Sequence, residues 1–506
     1  MKSSTQRNLV AAAVAVALGS TAAYALPPSA TYNYTLYAAG GSSQENAAYW
    51  AAEQLLQPAT IDVYTTNTSG APDTSYLIVT GTTNSAGAAA LGASGNVLFF
   101  YRFTGGPLLN DLVPLSNSPS SAAGQLPYPT IASFLTATTT SNASPATNPN
   151  APTYKFSAVL TGNNQSPDWG LSDVEVALYN YPYNLNGITA LTATQLSAIS
   201  QLGIYDDVWA VAVTNALYNG TVAFPHPKTN FTKQEVQGIL GGGVTNWNQL
   251  FADDGTQLPS APVWLLDRNS GSAAKVISNL YFLGYPTAIG TGGALKPGSV
   301  TAGGVNAGYT DTILNLSGGY QDVQEKTGAA IIADLQNANQ AGDYAIGILN
   351  AEFAPAFNQS HGANQYSFAK IGGVGIDSGT GSDNINGNTA TTYSNVVTGA
   401  YDFVYQNVFL TRAAGGFTNP GWTAAIKSVL QTESVSGAFA NQKFPNALTG
   451  VLLDPDVASV PAQAGGVILW SRNGNSTSPI QLNFDATSVQ NVGGNQVISY
   501  GSDPLH

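Results

Sequence analysis

Val263-Trp264-Leu265-Leu266-Asp267-Arg268-Asn269-Ser270-Gly271-Ser272 packs a strand, a charge and a turn into ten residues. Val263 to Leu266 is apolar without alternation, as a strand covered on both faces is. Arg268 closes it, and Ser270-Gly271-Ser272 turns the chain into a segment, Ala273 to Phe282, that reads as a helix. Such a junction is built for an oxyanion. The first amides of a helix have no internal partners and point at whatever lies before them. A serine hydroxyl adds a donor, and arginine adds a planar fork able to grip two oxygens. The same ten residues also describe a helix cap beside a structural ion pair, because caps are common. The arginine supply tips the balance: beyond residue 25 the chain has only Arg102, Arg268, Arg412 and Arg472.

Upstream, Phe231-Thr232-Lys233-Gln234-Glu235-Val236 has the spacing of a capping box with a hydrophobic staple, so a helix starts at Lys233 and ends at Gly241-Gly242-Gly243. Val208 to Val213 (VWAVAV) reads as a buried strand, as does Asn96 to Phe103. Thr31 to Ala39 predicts a strand, Gly40 to Ser43 a turn, Gln44 to Leu56 a helix and Ile61 to Thr65 a second strand. Val174 to Tyr179 predicts a short strand or turn, and Trp247 reads as a packing residue. Downstream, Gln321 to Asn339 reads as one helix, Tyr344 to Leu349 and Asp402 to Thr411 as strands, and Thr423 to Thr432 as a helix. Strands alternating with helices predict an α/β architecture. Ser116 to Thr153, rich in Ser, Thr, Pro, Asn and Ala, reads as a long surface insertion.

The chain of 506 residues exceeds what one core serves and suits two lobes. Lys2 and Arg7, the apolar run Leu9 to Leu18 and Ala23-Tyr24-Ala25 have the form of a signal peptide (1–25) cut before Leu26. The run falls short of the roughly 20 residues that span a bilayer, so no transmembrane segment is expected after cleavage. There is no cysteine, so no disulfide and no lipid anchor on the mature N-terminus are expected. Histidine occurs only at 226, 361 and 506, which argues against a histidine-rich metal site and a Ser-His-Asp triad. With Lys2 and Arg7 removed, the formal charge goes from −13 to −15, which disfavours nucleic acid as a partner. No metal, no cofactor and no catalytic residue are expected.

Several segments, in order, resemble the phosphate-binding subunits of high-affinity phosphate uptake transporters. Ala39-Gly40-Gly41-Ser42-Ser43 is similar to that family's first strand-to-helix loop, and Gly170-Leu171-Ser172-Asp173 to the loop carrying its ligand-binding aspartate. Phe231 to Leu250, Arg268 to Ser272 and Tyr344-Ala345-Ile346-Gly347 resemble its arginine strand and the flanking segments. The 231–272 block is the specific part. The resemblance implies a two-lobed type II periplasmic-binding-protein fold with the ligand between the lobes. It implies lobe 1 over 26–207, lobe 2 over 208–408, and a return to lobe 1 plus a tail over 409–506. It assigns a hydroxyl to Ser42, an amide to Ser43, the second-loop serine to Thr68 or Ser69, an acceptor for a protonated ligand oxygen to Asp173, and the pairing charge to Arg268. Ser272 and the amide of Ala273 complete the cage. Where the family has Gly-Ser-Gly-Thr, this chain has Gly271-Ser272-Ala273-Ala274, one hydroxyl fewer. Arg102, before Phe103-Thr104-Gly105-Gly106, is a candidate extra anion contact or an arginine closing a surface strand.

The expected function is therefore non-enzymatic: periplasmic or secreted capture of a small oxyanion, phosphate favoured, for an ABC transporter permease. The competing expectation is a secreted structural or scavenging protein that keeps the fold with altered binding.

Overall fold

A computed structural model describes residues 31–65, 76–131 apart from 104, 139–142, 153–156, 162–285 apart from 186 and 188, 320–353, 366–376, 394–431 apart from 398, and five short strand segments between 451 and 497. The expected signal peptide, Thr68 and Ser69 lie outside the described residues.

The strands are β1 (Tyr34–Gly40), β2 (Asp62–Thr65), β3 (Tyr76–Thr82), β4 (Asn96–Arg102), β5 (Leu126–Pro129), β6 (Thr139–Asn142), β7 (Thr153–Phe156), β8 (Gly162–Gln165), β9 (Trp169–Ser172), β10 (Ile199–Thr214), β11 (Asn230–Phe231), β12 (Trp264–Arg268), β13 (Gln321–Glu325), β14 (Ala345–Asn350), β15 (Tyr366–Ile371) and β16 (Val404–Arg412). Most join one sheet, in the order β13-β12-β14-β10-β16-β9-β1-β4-β3-β2-β7-β6. The α/β class is as expected.

The pattern at Val208–Val213 grows into the 16-residue β10. Its first part, Ile199–Val208, runs antiparallel to β16. Its second part lies between β14 and β15. One strand thus belongs to two halves, each with its own core. The first gathers β1, β4 and β9 under the helices Glu45–Glu53 and Pro420–Gln431, through Leu36, Trp50, Phe99, Trp169 and Ile426. The second gathers β12 and β14 with the helices Ala273–Leu283 and Gly328–Gln340, through Leu266, Ile277, Ile331 and Ile346. β16 then pairs with β9 through Val408–Thr411, returning the chain to the first half.

Local signals explain several elements. Thr232 Oγ1 accepts the Glu235 amide at 3.1 Å, and Glu235 Oε2 accepts the Thr232 amide at 2.7 Å. Phe231 and Val236 are buried beside this capping box, which starts the helix Lys233–Leu240 where the sequence places it. Trp247 is buried and its indole donates to the Tyr344 carbonyl at 3.2 Å.

One expectation fails at 321–339. Gln321–Glu325 is a strand parallel to β12, and the helix begins only at Gly328. Thr327 makes the break by capping the Ala330 amide. Helical periodicity cannot see that a polar run, QDVQE, is claimed by a neighbouring strand. Part of the 116–153 stretch also packs inward: Tyr128 of β5 is fully buried against Tyr37 and Phe100, and its hydroxyl donates to the Ala38 carbonyl.

Candidate functional site

β1, β4 and β9 are mutually parallel, and so are β12, β13 and β14. In open α/β sheets, ligands bind outside the carboxyl ends of such strands. Here the carboxyl ends of the two sets meet. Ser42, just past β1, and Arg268, the last residue of β12, are joined by an Arg268 Nη1–Ser42 Oγ bond of 3.4 Å across 226 residues of sequence.

Arg268 is aimed by the backbone beneath it. Its Nε donates to the Glu325 carbonyl at 3.2 Å, and Nη2 donates to the Lys326 carbonyl. These carbonyls belong to the last residue of β13 and the one after it, leaving Nη1 to face the first half. Burial pulls the guanidinium down to about 10, against the pull of Asp173 and Glu325, so it stays charged at neutral pH.

The turn after β12 leads into Ala273–Leu283 with Ser272 at the N-cap. Ser272 is buried, and its side chain makes no capping bond. The amides of Ala273, Ala274 and Lys275 begin the helix and have no carbonyl within it to bond. Lys275 pairs with Asp267, whose other oxygen accepts the Arg268 amide at 2.7 Å. This buried pair ties the helix start to the strand end. Gly271, at φ +86°, makes the turn and donates its amide to the Asn184 carbonyl.

From the first half come Ser43, Gln44 and Asp173. Ser43 Oγ lies 2.8 Å from both Asp173 oxygens, and Gln44 Nε2 donates to Asp173 Oδ1 and, at 2.7 Å, to Asn407 Oδ1 on β16. Asp173 is buried, which pushes its carboxyl up to about 6; the Ser43 hydroxyl, an Asp207 hydrogen bond and Arg268 work against that rise. The structure thus brings Ser42, Ser43, Asp173, Arg268, Ser272 and Ala273 to the meeting of the two halves. It gives Ser43 a hydroxyl role toward Asp173 besides its expected amide.

Arg102 is placed differently. Its Nε donates to Asn110 Oδ1 at 3.0 Å, and Nη1 donates to the Tyr76 hydroxyl and the Pro127 carbonyl at 3.0 and 3.1 Å. These bonds tie β3, β4 and β5 together. The loop beside the first is the one after β4, since β4 is the parallel neighbour of β1. Sequence reading also missed Gln44, Asp207, Asn407 and Asp111. Gln44 was visible as the residue after the Gly-Gly-Ser-Ser turn. The others sit on strands or a helical turn where nothing local marks them. Asp111 is fully buried with neither oxygen hydrogen-bonded. Burial, then the charge of Asp173, holds it well above the usual carboxylate range.

The profile of the PBP superfamily domain matches residues 173–427, just over half of the chain. No curated protein sequence matches. Among solved structures, a phosphate-binding protein from Stenotrophomonas maltophilia is similar at 14% identity and a TM-score of 0.33, covering 67% of this chain and 79% of that one. An ABC-type phosphate transport receptor from Vibrio cholerae is similar at 12% identity and a TM-score of 0.28, covering 52% and 74%.

Proposed function

The chain belongs to the PBP superfamily, and from that premise we propose that it is an extracytoplasmic binding protein that captures phosphate or a close oxyanion relative between its two halves and passes it to a membrane transporter. The observation that carries the proposal is the Arg268–Ser42 contact. It sets a buried guanidinium, a helix N-terminus without a side-chain cap and the first-half hydroxyls around one point. A charge-assisted grip from Nη1 there is worth more than a neutral hydrogen bond. Export behind a cleaved 1–25 segment is part of the proposal, supported by the sequence of that segment. Among the described residues no helix is long and apolar enough to cross a membrane.

Asp173 supports phosphate over sulfate. A carboxylate beside an anion is unfavourable unless the ligand brings a proton for it to accept, and phosphate is protonated near neutral pH while sulfate is not. Facing sulfate, Asp173 meets a bare oxygen; the mismatch of about 1–3 kcal/mol or more gives a preference of roughly tenfold to several hundredfold. Competition calorimetry of both anions tests this, with Asp173→Asn expected to narrow the gap because an amide can also donate. Equal wild-type affinity for the two anions ends the phosphate assignment. No binding of either favours a protein that keeps the fold for a structural role.

A further inference from the structure

Gln44 follows the two serines of the first loop and is fully buried. Its side-chain amide bonds in three directions. Oε1 accepts the Gly41 amide at 3.0 Å, while Nε2 donates to Asp173 Oδ1 and, at 2.7 Å, to Asn407 Oδ1 on β16. A glutamine amide has two N–H groups, so both are committed inside the protein and neither is left for an anion.

The backbone decides which end of this amide meets Asp173. The Gly41 N–H can only donate, so Oε1 turns to it and Nε2 faces the carboxylate. Reversing the amide would set donor against donor at Gly41 and oxygen against oxygen at both Asp173 and Asn407. Glycine at 41 gives the amide its room. The Gly41 backbone, at φ −81° and ψ 160°, suits any residue, but an added Cβ would lie 2.6 Å from Gln44 Oε1.

We infer that Gln44 is a positioning residue that sets the ligand preference of the site, by holding a fixed N–H on Asp173 so that this carboxyl meets the anion as an ionised acceptor. The inference rests on the proposed oxyanion site and deepens it.

A hydrogen bond to the charged form of an acid favours that form. Ser43 Oγ lies 2.8 Å from both Asp173 oxygens but has one proton, so it serves one oxygen at a time. Gln44 supplies a second donor, and the charge of Arg268 pulls the same way. Held so, Asp173 can only accept, and it asks for a ligand oxygen that carries a proton. Without Gln44 the buried carboxyl takes up a proton more readily and is freer to turn. A protonated carboxyl can donate to a bare oxygen, which is what sulfate offers. Discrimination between the anions thus depends on a residue whose N–H groups are spent within the protein.

Competition titration of inorganic phosphate and sulfate at one fixed pH tests this on wild type, Gln44→Met, Asp173→Asn and the double variant. Methionine keeps a side chain of similar length without an N–H. Gln44→Met should lower the phosphate-to-sulfate affinity ratio by roughly tenfold, with sulfate binding held or strengthened. In the Asp173→Asn background the same substitution should leave the ratio within about twofold, since Gln44 acts through the carboxylate. Gly41→Ala displaces the amide while keeping Gln44, so it should shift the ratio in the same direction, and it carries the test if Gln44→Met does not fold. Equal weakening of both anions by either folded variant would leave Gln44 a packing residue and overturn the inference. So would a ratio shift of the same size with and without the Asp173 carboxylate. A wild type that prefers phosphate beside variants with an unmoved ratio sinks the inference alone. A folded wild type that binds neither anion sinks the oxyanion reading, and the inference with it.

Discussion

β4 and β12 end alike in sequence. Each closes on an arginine, and each continues into a turn of small residues: Arg102-Phe103-Thr104-Gly105-Gly106 and Arg268-Asn269-Ser270-Gly271-Ser272. Both arginines are buried and both give donors to backbone carbonyls. Their roles nonetheless separate. Arg102 Nε and Nη1 donate within their own half, to Asn110, Tyr76 and Pro127. Arg268 is braced from behind by carbonyls of β13 and keeps one nitrogen for the opposite half. The two turns even touch: the Leu108 amide donates to the Gly271 carbonyl at 3.2 Å. The difference teaches that a strand-end arginine becomes a binding group through what stands behind it, since anchoring carbonyls decide which nitrogens remain for the ligand.

The comparison breaks if the two arginines respond alike. Arg268→Ala should cost roughly 2–5 kcal/mol of phosphate binding, because the anion is left partly unpaired. Arg102→Ala should leave affinity within about threefold and instead cost about 2–3 kcal/mol of stability, through the partners it strands. Calorimetry and denaturant unfolding of both variants separate the outcomes; a larger binding loss for Arg102 reverses the assignment.

The contact between the turns can be probed at Gly106. Its φ is +85°, and an added Cβ would lie 2.5 Å from the Gly271 carbonyl oxygen and 2.7 Å from Ser272 Cα. Backbone cannot yield as a flexible side chain does. Gly106→Ala should cost roughly 1–3 kcal/mol, and by moving the Ser272 turn it should weaken phosphate binding as well. Wild-type affinity with only lowered stability would mean the turn after β12 holds its shape without the turn after β4.

A pH-dependent effect is expected at Asp111, in the helical turn Leu108–Leu112 that follows β4. Its carboxyl presses on Gly170, where an added Cβ would lie 2.3 Å from Asp111 Oδ1. Its folded-state proton affinity is raised, so the wild type loses stability as pH climbs above the ordinary aspartate value of about 3.9. Asp111→Asn removes that loss. Its Tm advantage over wild type should grow steadily from about pH 4 to about pH 8. An advantage that does not change with pH would show that Asp111 is not the titrating group.

Legibility in the sequence followed the reach of each interaction. The helix at Lys233 was readable because Thr232 and Glu235 are three residues apart, and the arginine junction because strand, charge and turn are contiguous. The meeting of Arg268 with Ser42 was legible only through family resemblance, as no local rule joins residues so distant. β13 was misread because its strand character comes from β12 beside it. The Gln44–Asn407 bond was invisible for the same reason: each residue looks ordinary alone, and burial and contact are properties of the folded sheet.

β10 carries a consequence of another kind. Because this one strand lends its hydrogen bonds to both halves, neither half owns a complete sheet. Loss of either would turn a flank of β10 into an open edge of Val, Ala and Trp, able to recruit a strand from another molecule. The halves are thus bound to unfold together, and a fragment of this chain is expected to aggregate where the whole chain stays dispersed.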